Sequence, residues 1–184
     1  MTDPAEQLYE RLLVLRCQAG DEEAFAELVG RYGPRLRYYV RKLLGEVSSA
    51  EDVLQEVWLD VWRGLPRLAA PGALTAWLYR VARDRTFRAL RRRRPEARPL
   101  EEGHLANGEA GEEEFGPEDA ARIHAALDGL AAEHREVLVL RFLEGMAYED
   151  IARVLGCPLG TVRSRIHYAK RALRRALERT GEHG

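Results

Sequence analysis

The chain has 184 residues, 46% of them apolar and 32% charged, and a formal net charge of −1. That length suits one or two domains with real cores, and that charge excludes a globally basic nucleic-acid binder. No stretch approaches the roughly 18 apolar residues of a membrane span. The start, Met1 to Pro4, reads as lacking a secretion signal. Cys17 and Cys157 are too far apart in sequence to belong to a metal-spaced cluster, so a reducing, cytoplasmic setting is expected. Charge is distributed in blocks: +4 over residues 1–98, −8 over 99–119 and +3 over 120–184. Two basic blocks flank an acidic one, and that asymmetry calls for an explanation.

Helix formers dominate the N-terminal block and strand alternation is missing, so four helices are predicted, roughly Ala5–Ala19, Asp21–Leu44, Ser49–Arg63 and Leu74–Arg93. Asp21 suits the start of the second, as cap and with acids in the first turn; Ser48 or Ser49 does the same for the third. In the third helix Leu54, Val57, Trp58, Val61 and Trp62 form a broad apolar face. Asp52, Gln55, Glu56 and Leu59 share another face at i, i+3, i+4 and i+7. An acidic-polar face with one apolar member fits a basic protein partner better than DNA; a solvated acidic edge is the plainer alternative. The fourth helix opens Trp77-Leu78-Tyr79-Arg80-Val81-Ala82-Arg83 and runs through Arg85 and Arg88 to Arg91–Arg94. Aromatics beside an arginine ladder can stack on bases while guanidinium groups hold the backbone. Trp77 and Tyr79 could equally be core residues.

Pro95–Pro117 breaks the pattern, with three prolines, four glycines and the run Glu112-Glu113-Glu114. Such a segment cannot bury enough surface to fold alone. The predicted fold is therefore all-α: two small helical domains, 5–94 and 119–180, joined by a flexible acidic linker over 95–118.

Past the linker, helices are predicted at Asp119–Leu130, Glu133–Leu143, Tyr148–Leu155 and Leu159–Arg179. The last two have the build of a helix-turn-helix. Gly156 can take the left-handed conformation that ends a helix, and Pro158 fits the first turn of the next. Ala152 is small where the helices cross. Val162, Ile166, Ala169 and Leu173 recur at spacings of 4, 3 and 4, a buried stripe. Arg163, Ser164, His167, Tyr168, Lys170 and Arg171 fall off that stripe. Between Gly156 and Arg179 there are seven Lys/Arg against one acid, Glu178, too one-sided for a merely solvated hairpin. A helix of this kind reads bases in the major groove from its N-terminal half and clamps phosphate further along.

The stretch Leu130–Leu173, with Glu133-His134-Arg135-Glu136-Val137-Leu138, Leu140-Arg141, Gly145, Tyr148, Ile151-Ala152 and Gly160-Thr161-Val162-Arg163-Ser164-Arg165, resembles region 4 of extracytoplasmic-function (ECF) RNA polymerase sigma factors of the sigma-70 family. Gly20-Asp21, Ala24-Phe25, Leu28-Val29 and Tyr32, with the two helices after them, are similar to region 2 of the same family. The resemblance covers roughly Leu13–Arg94 and Asp119–Leu177. It implies a bacterial transcription initiation subunit that directs core polymerase to promoters, reading the −35 element and opening the −10 element.

Carried over by position, the polymerase β′ clamp contacts are Asp52, Gln55, Glu56 and Leu59. The −10 surface is the loop around Leu68–Leu74 with Leu68, Trp77, Tyr79, Arg80, Arg83 and Asp84. The −35 surface is Gly160, Thr161, Arg163, Ser164, His167 and Tyr168, with Lys170 and Arg171 on phosphate, and region 4 sits on the β flap. The resemblance also implies a linker lying near the RNA exit path and an anti-sigma factor as partner. Two departures stand out. Many relatives carry Asn where this chain has Asp84, and Asp where it has Arg88; the Asp84 carboxylate accepts hydrogen bonds only, which favours a base donor such as a cytosine amino group. The loop Pro66–Ala73 also lacks the aromatic often found there, a place Leu68 fills.

Two other classes fit the sequence less well. A helix-turn-helix regulator that is not a polymerase subunit would need only the C-terminal block plus a ligand or dimer domain, for which residues 1–94 offer no signature. An enzyme would need a metal site or a nucleophile with its base, yet the five histidines are scattered away from paired acids. No catalytic residue, metal or cofactor is expected.

Overall fold

The structure, a computed structural model, describes residues 4–45, 48–93 and 120–181. The predicted linker lies outside the described residues. The described residues form two compact units, one on either side of it.

The first unit is built from α1 (Pro4–Gln18), α2 (Glu22–Leu44), α3 (Ser48–Gly64) and α4 (Leu74–Arg93). Asp21 caps α2 by accepting from the Ala24 amide at 2.9 Å, and Gly45 ends it at φ 73°, its N–H donating to Arg41 O. These caps satisfy end groups that would otherwise be left without partners. Pro34 stands inside α2, where it removes one hydrogen bond. The helix continues because its two halves are anchored in the core, by Leu28 and Tyr32 before the proline and Leu36, Tyr39 and Val40 after it. α2 packs on α1, α3 and α4, and α3 packs on α4. Leu78, Tyr79 and Ala82 from α4 and Val57 and Val61 from α3 close the core. Between α3 and α4 the chain makes two short 3-10 turns, Leu65–Arg67 and Pro71–Ala73, where the sequence reading has a plain loop.

The second unit holds α5 (Ala120–Asp128), α6 (Ala132–Leu138), α7 (Tyr148–Leu155) and α8 (Leu159–Gly181). α5, α6 and α7 all pack against α8. The predicted single helix over 133–143 differs in the structure: α6 gives way to a π turn at Val139–Leu143, marked by Glu144 N–H donating to Val139 O at 3.0 Å. The sequence holds no proline or glycine there to announce it. The widened turn keeps Val139 and Leu140 fully buried while Phe142 and Leu143 face outward, 47% and 44% exposed. Arg135 is nearly buried and spans back to α5, its Nη2 donating to Asp128 O and Leu130 O at 2.8 and 2.7 Å, so its charge closes the end of that helix. Among the described residues there is no strand, and no helix is long and apolar enough to cross a membrane.

Candidate nucleic-acid interface

In the second unit Gly156 takes the left-handed conformation, φ 65°, and its N–H donates to Ala152 O at 2.9 Å, ending α7. Pro158 then offers its carbonyl to the amides of Thr161 and Val162, which starts α8. Val162, Ile166, Ala169 and Leu173 are all buried, as their spacing requires. Gly160, Arg163 and Arg171 are exposed and Thr161, Ser164, His167, Tyr168 and Lys170 half-buried. Two of these have internal engagements the sequence does not announce. Ser164 Oγ donates to Thr161 O at 3.0 Å, and Lys170 Nζ sits 5.2 Å from the centre of the Phe142 ring. The His167 and Tyr168 rings meet edge to face at 5.7 Å. His167 Nδ1 is buried with no hydrogen-bond partner, so this ring is held by packing.

On α3, Asp52, Gln55, Glu56 and Leu59 are exposed together. Leu59, at 49%, is an apolar side chain on a polar face. Glu56 is also paired within the chain: Arg85 of α4 reaches it at 2.7 Å and forks onto Asp60 at 2.5 and 2.6 Å. Asp60, more than any other group, holds the Arg85 guanidinium above its ordinary pKa. Sequence reading missed this link because it joins two helices. Trp62, placed with the apolar face, is nonetheless 46% exposed, its ring T-shaped to Phe25 with centroids 4.7 Å apart. Trp58, half-buried, meets the same Phe25 ring at 6.2 Å.

On α4 the expected set divides. Arg80 and Asp84 are exposed and, with Arg88 and Arg91, form one outward stripe at helical spacing in which Asp84 is the single carboxylate. Arg83 is half-buried, its guanidinium 4.7 Å from the centre of the Phe87 ring. Leu68 and Trp77 are half-buried. Tyr79 is a correction: it is fully buried, edge-on to Tyr39 at 5.2 Å, and belongs to the core. It lies on the stripe Leu78–Tyr79–Ala82–Thr86, all buried, that faces the other helices. Trp77 lies over Gly64, where a β-carbon would come within 2.9 Å of its Cζ2. Only a glycine leaves that ring its place.

One unit carries a helix-turn-helix with a basic outer face and the other an acidic face and an arginine stripe, the make-up expected of a DNA-binding transcription protein. The sigma-70 region 2 model matches residues 28–96 and the sigma-70 region 4 model residues 120–173. The chain is 34% identical to the RNA polymerase sigma-H factor of Pseudomonas aeruginosa, over 94% of its own length and 95% of that protein's. It is 32% identical to the ECF RNA polymerase sigma-E factor of Escherichia coli K12, over 92% and 94%. A solved structure of the sigma factor RpoE of Bartonella quintana, in complex with the anti-sigma factor NepR, superposes with a TM-score of 0.66 at 27% identity, covering 84% of this chain and 96% of that one. The chain belongs to the sigma-70 family of RNA polymerase sigma factors, in its ECF group. Sigma factors are transcription initiation factors and not themselves catalysts.

Proposed function

We propose that this chain directs core RNA polymerase to specific promoters, with 5–94 binding the clamp and opening the −10 element, 95–118 as the acidic linker and 119–180 reading the −35 element. The observation that carries the reading is one chain holding an acidic face with one apolar member on α3 and a basic outer face on α8. Asp52, Gln55, Glu56 and Leu59 dock on the β′ clamp, where basic partner groups meet the carboxylates and Leu59 buries its side chain. Arg80, Arg83 and Asp84, with Trp77 and Leu68, form the −10 surface. Gly160, Thr161, Arg163, Ser164, His167 and Tyr168 face the −35 bases, and Lys170 and Arg171 hold phosphate. Phe142 and Leu143 supply exposed apolar area for the β flap. Its setting is the cytoplasm, where the polymerase works.

Asp84 interrupts an otherwise cationic stripe, repels phosphate and accepts hydrogen bonds only, so a cytosine amino group suits it. An anti-sigma factor is the expected inhibitory partner, covering the clamp-binding and DNA-binding faces together; the Bartonella quintana relative was solved in complex with an anti-sigma factor. The test is run-off transcription with purified chain and core polymerase on a library of promoters from its own genome. Transcripts that depend on both partners support the reading. Promoter binding without polymerase, and no transcripts with it, would instead indicate a free-standing regulator.

A further inference from the structure

The loop between α3 and α4 is fixed in the core at its two ends only, by Leu65 at 2% exposure and Leu74 at 0%. Every residue from Pro66 to Ala73 is half-buried or exposed, so apolar burial does little to define the path between. A polar group from elsewhere does. Gln18, at the last turn of α1, donates from Nε2 to Leu65 O at 3.1 Å and to Leu68 O at 3.0 Å. Leu65 O also accepts from the Leu68 amide at 3.1 Å, so the carboxamide grips both ends of one tight turn. Further along, Gly72 lies beside the Arg11 side chain, and α1 packs on both 3-10 turns. Yet α1 lies wholly outside the stretch matched by the region 2 family model, which starts at residue 28.

We propose that Gln18 is a positioning residue for −10 recognition: its two hydrogen bonds set the path of the loop that carries Leu68. This rests on the reading of that loop as a −10 surface. An amide NH2 has one N–H for each of the two carbonyls, and no other uncharged side chain of that length offers both. An isosteric Met removes the donors and keeps the volume; Glu sets a carboxylate against two carbonyl oxygens; Lys keeps donors at similar reach.

The experiment incubates each full-length variant, bound to core polymerase, with a randomised single-stranded oligonucleotide pool and sequences what is retained. Core affinity, −35 duplex binding and thermal melting are measured alongside. Gln18→Met and Gln18→Glu are expected to flatten the wild-type base preference by about fivefold, the worth of one hydrogen bond. Gln18→Lys is expected to restore it, while polymerase affinity and −35 binding stay as in wild type. If Gln18→Met fails to fold, Gln18→Glu against Gln18→Lys carries the same comparison. A retained preference in folded Gln18→Met or Gln18→Glu overturns the proposal, as does a loss matched by equal losses in core and −35 binding. A wild-type complex with no base preference sinks the −10 reading itself, a failure distinct from these.

Discussion

The two helices that carry the proposed DNA contacts, α4 and α8, divide their side chains differently. In α8 one narrow buried stripe, Val162, Ile166, Ala169 and Leu173, leaves every expected contact residue at least partly outside it. In α4 the buried side is wider and takes in Leu78, Tyr79, Ala82, Thr86 and Phe87. The resemblance by position puts Tyr79 on the surface, yet the buried side of α4 takes it in. On α4, outward character belongs to the charged i, i+4 stripe and not to the aromatic residues as a class.

Four substitutions break or sharpen this contrast. Tyr79→Ala is expected to destabilise the chain by about 3–5 kcal/mol, as loss of a buried aromatic does, measured by urea unfolding. If it left stability intact but abolished −10 binding, Tyr79 would return to the DNA surface. Arg163→Ala on α8 is expected to weaken −35 duplex binding by about 1–3 kcal/mol with stability unchanged, read from titrations of matched and mismatched duplexes. Arg85→Ala removes the bridge from α4 to Glu56 and Asp60 and is expected to lower stability by about 1 kcal/mol. Its effect should fade with added salt, because both carboxylates reach solvent. Asp84→Asn is expected to shift the preferred −10 base without changing core affinity; an unchanged preference in single-strand binding removes Asp84 from the reading surface.

A fifth prediction concerns pH. The Ala24 amide, and after it Arg16, hold the Asp21 carboxyl below its ordinary value of 3.8. A pKa lowered by folding means that this group stabilises the fold above the ordinary value and that the gain disappears as pH falls through the lower folded value. The melting-temperature gap between wild type and Asp21→Ala should therefore be full at neutral pH and close below pH 3.8. A gap that persists in strong acid would assign the effect to the backbone and not to the charge.

Local signals made most of the fold legible in the sequence. The helix ends at Asp21 and Gly156 follow from cap chemistry, and the α8 stripe from spacing alone. What the sequence hid depends on which helices become neighbours. The burial of Tyr79 requires knowing that Tyr39 of α2 meets it, and the exposure of Trp62 requires knowing which side chains pack around its ring. Gln18 is 47 and 50 residues from the carbonyls it bonds, so no window along the chain could have found it. Arg85 was visible as one rung of an arginine ladder, but its two carboxylate partners are on another helix.

The π turn at Val139–Leu143 has a consequence for how this unit tolerates change in length. A turn closed by a five-residue hydrogen bond carries one residue more than an α-helical turn needs, so the segment behaves as a helix with a single insertion absorbed in place. Deleting one residue there is expected to shift the register of the residues after it and to disturb the Arg141 bond to Met146 O.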